Sequence, residues 1–151
     1  PTAAGSKDKP TKYKVLDPAQ RLVDDSLKAV YAGEVTTKDH LHFITTDDRL
    51  MSDPRNWLTW SNGENGNLLH ACALWNDTEV TSDLLSRDID GLTDAYDGEG
   101  RTPYQIAEMA GNREVCEVLE AYGADHGNYV IFTQNNNILF VLHNCLHNEK
   151  N

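Results

Sequence analysis

Histidine and cysteine are the residues of this chain best suited to metal or nucleophilic chemistry, and it has six histidines and three cysteines. His143, Cys145 and His147 would share one face of a strand, and the two histidines would share one face of a helix. Zinc normally takes four nitrogen or sulfur ligands, and no second pair with matching spacing follows. His40 and His42 are two residues apart on a predicted helix and therefore diverge. We predict no metal and no other cofactor.

The cysteines indicate neither a disulfide framework nor a catalytic thiol. Cys72, Cys116 and Cys145 are odd in number and widely spaced, which favours reduced thiols in a cytoplasmic or nuclear compartment. A catalytic thiolate must be accessible and activated, whereas Cys72 and Cys116 fall at inward positions of predicted helices. The sequence also has no phosphate-binding glycine loop, nucleophile elbow or paired-carboxylate motif. We predict that the protein is not an enzyme and has no small-molecule substrate.

Acidic residues dominate the charge of the chain. Asp and Glu total 24 against 13 Lys and Arg, which gives a formal net charge of -11. Such a surface repels nucleic acid and anionic membranes, and no apolar run approaches the roughly 20 residues that cross a bilayer. We predict no nucleic-acid and no membrane partner, and we expect a protein partner with a basic surface. The alternative is that the acidity only keeps the protein soluble.

Short paired helices are the elements that would position any binding residues. Residues 1–17 are polar and lysine-bearing, which predicts a flexible arm. Apolar residues then recur at helical spacing in three helix–turn–helix segments, residues 18–44, 66–85 and 100–125. Residues 45–65 hold two tryptophans among Asp, Ser, Asn and Gly, which predicts an ordered insertion packed on neighbouring helices.

Turn and cap residues mark the ends of these predicted helices. Asp17 before Pro18 is typical of a helix start, and Gly123 is typical of a helix end. The start of the second helix is assigned to Thr36 or Thr37, and the chain is expected to turn at Gly33, Asn76-Asp77 and Gly111-Asn112.

Two of the three segments repeat. Tyr104-Gln105 follows Leu69-His70 by 35 residues, and the same shift places Val80 on Val115 and Leu84 on Leu119. Paired helices that recur at about this interval are the signature of a helical solenoid.

The second of these segments resembles the ankyrin-repeat family, whose pattern is Asp, two residues, Gly, one residue and then Thr-Pro-Leu-His. Residues 97–107 (DGEGRTPYQIA) follow it closely, and the match continues to residue 125. Residues 66–90 keep the Leu-His but not the Thr-Pro, and residues 18–44 would be a degenerate capping repeat. The resemblance implies a mainly α fold, a short ankyrin-repeat solenoid of about three helix pairs over residues 18–125.

The resemblance also implies where a partner would bind, because ankyrin proteins use their hairpin tips and the inner faces of their first helices. We expect Trp75 to contribute most, since tryptophan is enriched among binding hot spots; the alternative is that it is buried against the insertion at 45–65. Acidic residues of 88–99 would form a finger for a basic ligand, or only an ordinary solvated loop. The predicted contact residues are Trp75, Leu74, Asp94, Tyr96, Glu99, Arg101 and Met109.

The tail, residues 126–151, departs from the family pattern. Two apolar runs, 128–133 (NYVIFT) and 138–147 (ILFVLHNCLH), flank an Asn-rich segment and predict a β-hairpin or a strand followed by a helix. We expect the tail to cap the solenoid, and the alternative is that it docks on a partner. The function that follows is an adaptor or chaperone-like protein-interaction module. The alternative function is a structural subunit built into a larger assembly.

Overall fold

The computed structural model describes residues 15–123, and this part of the chain is mainly α, with seven helices and no strand. The predicted β-hairpin or strand–helix cap at 126–151 lies outside the described residues. None of the described helices has both the length and the apolar character needed to cross a membrane. The helices are α1 (Pro18–Tyr31), α2 (Thr37–Thr46), α3 (Pro54–Leu58), α4 (Leu68–Trp75), α5 (Thr78–Ser86), α6 (Pro103–Ala110) and α7 (Arg113–Ala121).

Six of these helices form three antiparallel pairs that stack in chain order. α1 packs on α2, α4 on α5 and α6 on α7. Across the pairs, α1 and α6 both contact α4, while α2 and α7 both contact α5. The first helices (α1, α4, α6) therefore form one row and the second helices (α2, α5, α7) another. Such short helices cannot bury an apolar face alone, so each pair is stabilised by its neighbours.

The first helix of every pair begins with the same reciprocal cap. The side chain of the residue before the helix accepts a backbone N–H three residues on, and the side chain at that position accepts the N–H of the capping residue. These caps satisfy backbone donors that the first turn of a helix leaves free. The capping pairs are Asp17 with Gln20, Asn67 with His70 and Thr102 with Gln105.

The tight turns inside the second and third pairs use left-handed residues. Asn76 follows α4 with a φ of 55°, and Gly111 follows α6 with a φ of 75°. Glycine adopts this conformation without strain, and asparagine tolerates it better than most residues. Asp77 then caps α5 through the N–H of Val80, while Thr36, rather than Thr37, caps α2.

The core runs the length of the stack, and the segment between α2 and α4 contributes to it. Leu50 and Leu58 are buried there, and Trp57 and Trp60 pack partly buried against the core. The indole N–H of Trp60 donates to a carboxylate oxygen of Asp24 in α1, at 3.0 Å. The tryptophans of this segment are thus engaged within the chain. Residues of the helices that are fully inaccessible include Val23, Val30, Ile44, Leu69, Cys72, Leu84, Ala107, Val115 and Leu119.

Candidate partner-binding surface

Two backbone turns stand immediately before α4 and α6, and we call them the 62–66 tip and the 97–101 tip. In the second tip, one oxygen of Asp97 accepts the backbone N–H groups of Glu99 and Arg101, both at 2.9 Å. In the first, the side-chain oxygen of Asn62 accepts the N–H groups of the residues two and three positions on, at 3.0 and 2.7 Å. Asn62 therefore has the same role as Asp97, 35 residues later: its side-chain oxygen accepts two backbone N–H groups of its own tip.

The two tips touch each other. The N–H of Gly98 donates to the backbone oxygen of Glu64 at 2.9 Å. A Cβ at Gly98 would lie 2.7 Å from that oxygen, so only glycine permits this approach. The contact sets the tips side by side, with the carboxylates of Glu64 and Glu99 both exposed.

Glu64 was missed by sequence reasoning, which placed it in the insertion at 45–65. The signal was present, because the 35-residue interval that pairs Leu69 with Tyr104 also pairs Asn62-Gly63-Glu64 with Asp97-Gly98-Glu99. The missing Thr-Pro in the earlier repeat obscured the match.

Arg101, a predicted contact residue, is held within its own tip. Its guanidinium lies 3.0 Å from Asp97 and 3.6 Å from Glu99. The Asp97 side chain is only 2% exposed. Burial alone would raise the pKa of Asp97, but hydrogen bonds from Arg101 and from the N–H of Glu99 outweigh it and lower the pKa. Asp97 thus belongs to the scaffold of the tip and is not an exposed member of the acidic finger.

His70 joins α4 to the tip of the following pair. Its Nδ1 accepts the N–H of Asn67 at 3.1 Å, and its Nε2 lies 2.8 Å from the backbone oxygen of Arg101. Burial is the largest influence on the ring and lowers the pKa of His70. A neutral imidazole accepts at one nitrogen and donates at the other, which is what these two contacts require. The ring therefore fixes the second tip relative to α4.

The apolar contact residues predicted from the sequence are all at the surface. Leu74 and Met109 occupy equivalent positions near the ends of α4 and α6, which pack on each other, and Met109 is 68% exposed. Tyr96, directly before the second tip, is half exposed, and Asp94 is exposed on the same connection. The structure brings Leu74 and Met109 together on adjacent first helices, and Glu99 with Arg101 in one tip.

Trp75 is not buried against the segment 45–65. Its indole N–H donates to the backbone oxygen of Val30 at 3.1 Å, and its ring lies 3.8 Å from where a Cβ would stand on Gly33. The side chain nevertheless remains 51% exposed. It therefore packs on the connection between α1 and α2 while about half of its surface stays exposed.

The negative charge is concentrated in the described part of the chain. Residues 15–123 hold 21 of the 24 Asp and Glu residues but only 8 of the 13 Lys and Arg residues. The field of the stacked helices is therefore more negative than the net charge of the whole chain suggests, and it attracts basic groups.

No family model, curated protein or solved structure matches this chain. Residues 15–123 contain no group of three or more His, Cys, Asp and Glu that could hold a metal ion, and the His143–His147 cluster lies outside them. Burial raises the pKa of the Cys72 thiol and raises that of Cys116 to about 11, so both thiols stay protonated and weakly nucleophilic at neutral pH.

Proposed function

We propose that the chain is an ankyrin-type protein-interaction module, an adaptor or chaperone-like binder that recognises a partner with a basic surface. The ankyrin assignment is supported by residues 97–107, by the 35-residue interval and by helix pairs stacked in two rows with tips at one end. Under this proposal α1–α2, α4–α5 and α6–α7 are three repeats, and α3 belongs to an insertion between the first two.

The observation that carries the proposal is the contact between the two tips. The hydrogen bond from Gly98 to Glu64 holds two exposed carboxylates, those of Glu64 and Glu99, on adjacent and internally bonded turns. Arg101 lies 3.6 Å from Glu99 and neutralises part of this charge, so a basic ligand gains from both carboxylates by competing with Arg101. Because the turns are already ordered, binding costs little conformational entropy.

The exposed apolar side chains of the first-helix row complete the surface. Leu74 and Met109 lie at the far ends of α4 and α6 from the tips, so acidic and apolar contacts occupy the two ends of the same helices. This arrangement suits a partner segment that presents basic groups next to apolar ones. Charge steers and orients such a segment, and apolar burial supplies most of the affinity.

A structural subunit of a larger assembly is the second candidate, and the half-exposed Trp75 and Tyr96 favour it as much as an adaptor. Trp57 and Trp60 do not add to such an interface, because they pack within the chain as the sequence predicts for an ordered insertion. Salt separates the two functions, because exposed ion pairs weaken with ionic strength and apolar interfaces do not.

The test is affinity capture from native extract with the full chain, washed at low and at high salt, with the bound proteins identified by mass spectrometry. Glu64→Lys with Glu99→Lys reverses the charge of both tips, and Asp48→Lys with Glu117→Lys makes the same charge change away from them. We expect a basic partner that high salt and the tip variant release and that the control variant retains. A stoichiometric set of proteins that survives high salt and the tip variant would contradict the proposal and favour the structural subunit.

A further inference from the structure

A groove separates the first helix pair from the second at the end opposite the tips. It encloses about 560 Å³ between the α1–α2 connection, with Val35 and Thr37, and the α4–α5 turn, with Trp75, Asp77 and Glu79. It lies apart from the tips: α4 has eight residues, so its two ends are about 12 Å apart along the helix.

Trp75 gives this groove a fixed aromatic wall. The hydrogen bond to Val30 holds one edge of the indole, and the ring lies beside Gly33, 3.8 Å from where a Cβ of that residue would stand. A positioned indole is the aromatic side chain that attracts cations most strongly, and it also covers the methylene stem of a long basic side chain.

The groove is acidic as well as aromatic. Asp77 and Glu79 line it, and no Lys or Arg is among its described lining residues. The Asp77 carboxylate already accepts the Thr37 hydroxyl and the N–H of Val80, at 3.0 Å in the latter case, whereas Glu79 stays 74% exposed. The rim of the groove already holds one cation of the chain, because Nζ of Lys38 lies 3.3 Å from Glu79.

We propose that this groove receives one arginine side chain of the partner, with its stem against Trp75 and Val35 and its guanidinium at Glu79 in place of Lys38. The proposal rests on the proposed function and adds a second basic contact to the one at the tips. Arginine fits better than lysine, because a planar guanidinium stacks on an indole and meets a carboxylate with two parallel hydrogen bonds.

The two acidic sites lie beyond opposite ends of α4, so a partner that occupies both needs basic residues at two separate positions. An extended chain covers about 3.3–3.6 Å per residue, so the length of α4 alone, about 12 Å, corresponds to a spacing of about four residues. The shortest probe of this kind is thus an extended peptide of the form Arg-x-x-x-Arg, with one arginine for the groove and the other for Glu64 and Glu99.

The probe for the test is the blocked pentapeptide Arg-Gly-Ser-Gly-Arg, titrated into the ¹⁵N-labelled full chain at low salt. Matched peptides carry lysine or the uncharged isostere citrulline at both ends. We expect the Trp75 indole N–H and the Gly98 amide to shift with the arginine peptide, about threefold weaker binding with lysine, and little response with citrulline. Glu79→Gln should weaken the response at Trp75 about threefold, and Lys38→Met, which removes the competing cation, should strengthen it about twofold.

Lys38 and Glu79 are both largely exposed, so neither variant should disturb folding, and an unchanged spectrum of the free protein would verify this. Shifts at Gly98 without any at Trp75 would overturn the groove proposal and leave the acidic tips as the binding surface. An equal response at Trp75 to arginine and citrulline would also overturn it. No shift at either position would contradict both the groove and the proposed function.

Discussion

The pairs α4–α5 and α6–α7 have the same arrangement of helices and turn. They differ in the residues on the face against which a following pair would stack. At equivalent positions 35 residues apart, Ala73 is fully buried and Glu108 is exposed. Leu85 is half-buried, whereas Glu120 is exposed. The face of α4–α5 that carries Ala73 is covered by the next pair, since the Asn112 side chain donates to the backbone oxygen of Ala73 at 2.7 Å.

This difference shows that two separate sets of residues control the fold. Caps and turns decide that a helix pair forms. Both pairs begin with a reciprocal cap and turn at a left-handed residue, although the Asp77 side chain caps α5 and the Asn112 side chain does not cap α7. Residues on the stacking faces decide whether a further pair can follow, and they are small or apolar in α4–α5 but charged in α6–α7. Tyr104 illustrates the change: it is buried like Leu69 at the equivalent position, but it carries a hydroxyl that donates to Glu120 on the outer face. A polar outer face is what an end unit of a helical stack requires.

Exchanging one residue between the two faces should have the largest effect. Ala73→Glu places a carboxylate at a fully buried position without a basic partner, and we expect a loss of about 4 kcal/mol in the free energy of unfolding. Glu108→Ala, the reciprocal change at the exposed position, should alter stability by less than about 0.5 kcal/mol. Urea unfolding of both variants measures this. If Ala73→Glu cost no more than its reciprocal, the two faces would not differ as argued.

The helix pairs should also differ in their sensitivity to acid. His40 and His70 lie in the first two pairs, whereas α6–α7 contains no histidine. Burial lowers the pKa of His40 to about 4, so the unfolded chain takes up the proton first, near pH 6.5. The stability that neutral His40 provides is therefore complete above pH 6.5 and is lost as the pH falls toward 4, by about 3 kcal/mol.

Urea unfolding between pH 7 and pH 4 tests this, with His40→Gln as the variant and His42→Gln, exposed on the same helix, as the control. The pH dependence should become shallower in the first variant and stay unchanged in the second. Identical slopes in all three proteins would exclude His40 as the source of the acid sensitivity. Asp97, whose pKa is lowered, contributes in a different window, because its stabilisation is lost only below about pH 4.

The smallest effect should come from the residues that complete the reciprocal caps. His70→Ala removes a buried ring that bonds both to Asn67 and to Arg101 in the next pair, and we expect a loss of about 2 kcal/mol. Gln105→Ala removes only the local contact with Thr102 and should cost about 1 kcal/mol or less. Thermal unfolding of the two variants checks the order. Equal losses would mean that the bond between pairs adds nothing to the cap.

Local features of the fold were predictable because they depend on neighbours in the sequence. Asp17 with Pro18 predicts the start of α1, and Gly111 predicts the turn after α6, since each acts through its own backbone geometry. The 62–66 tip was not predicted, although Asn62 can replace Asp97 as an acceptor of backbone N–H groups. Its pattern lacks the Thr-Pro that marks the later repeat, and Asn62 stands where the later tip has Asp97, so the equivalent hydrogen bonds were not recognised.

The amino-acid sequence by itself determined where the paired helices begin and end and how strongly acidic they are, because caps, helical periodicity and charge are local properties or sums. It also identified Leu74, Trp75, Tyr96 and Met109 as surface candidates through their positions in the repeat. Only the tertiary structure decided that Arg101 is bound within its tip, that Glu64 stands beside Glu99, and that Trp75 lines a groove with Glu79. The positions of Glu64 and Trp75 depend on contacts between residues far apart in the sequence, which form only when the pairs stack. The ion pairs of Arg101 are local, but the folded tip decides which of several possible partners it meets.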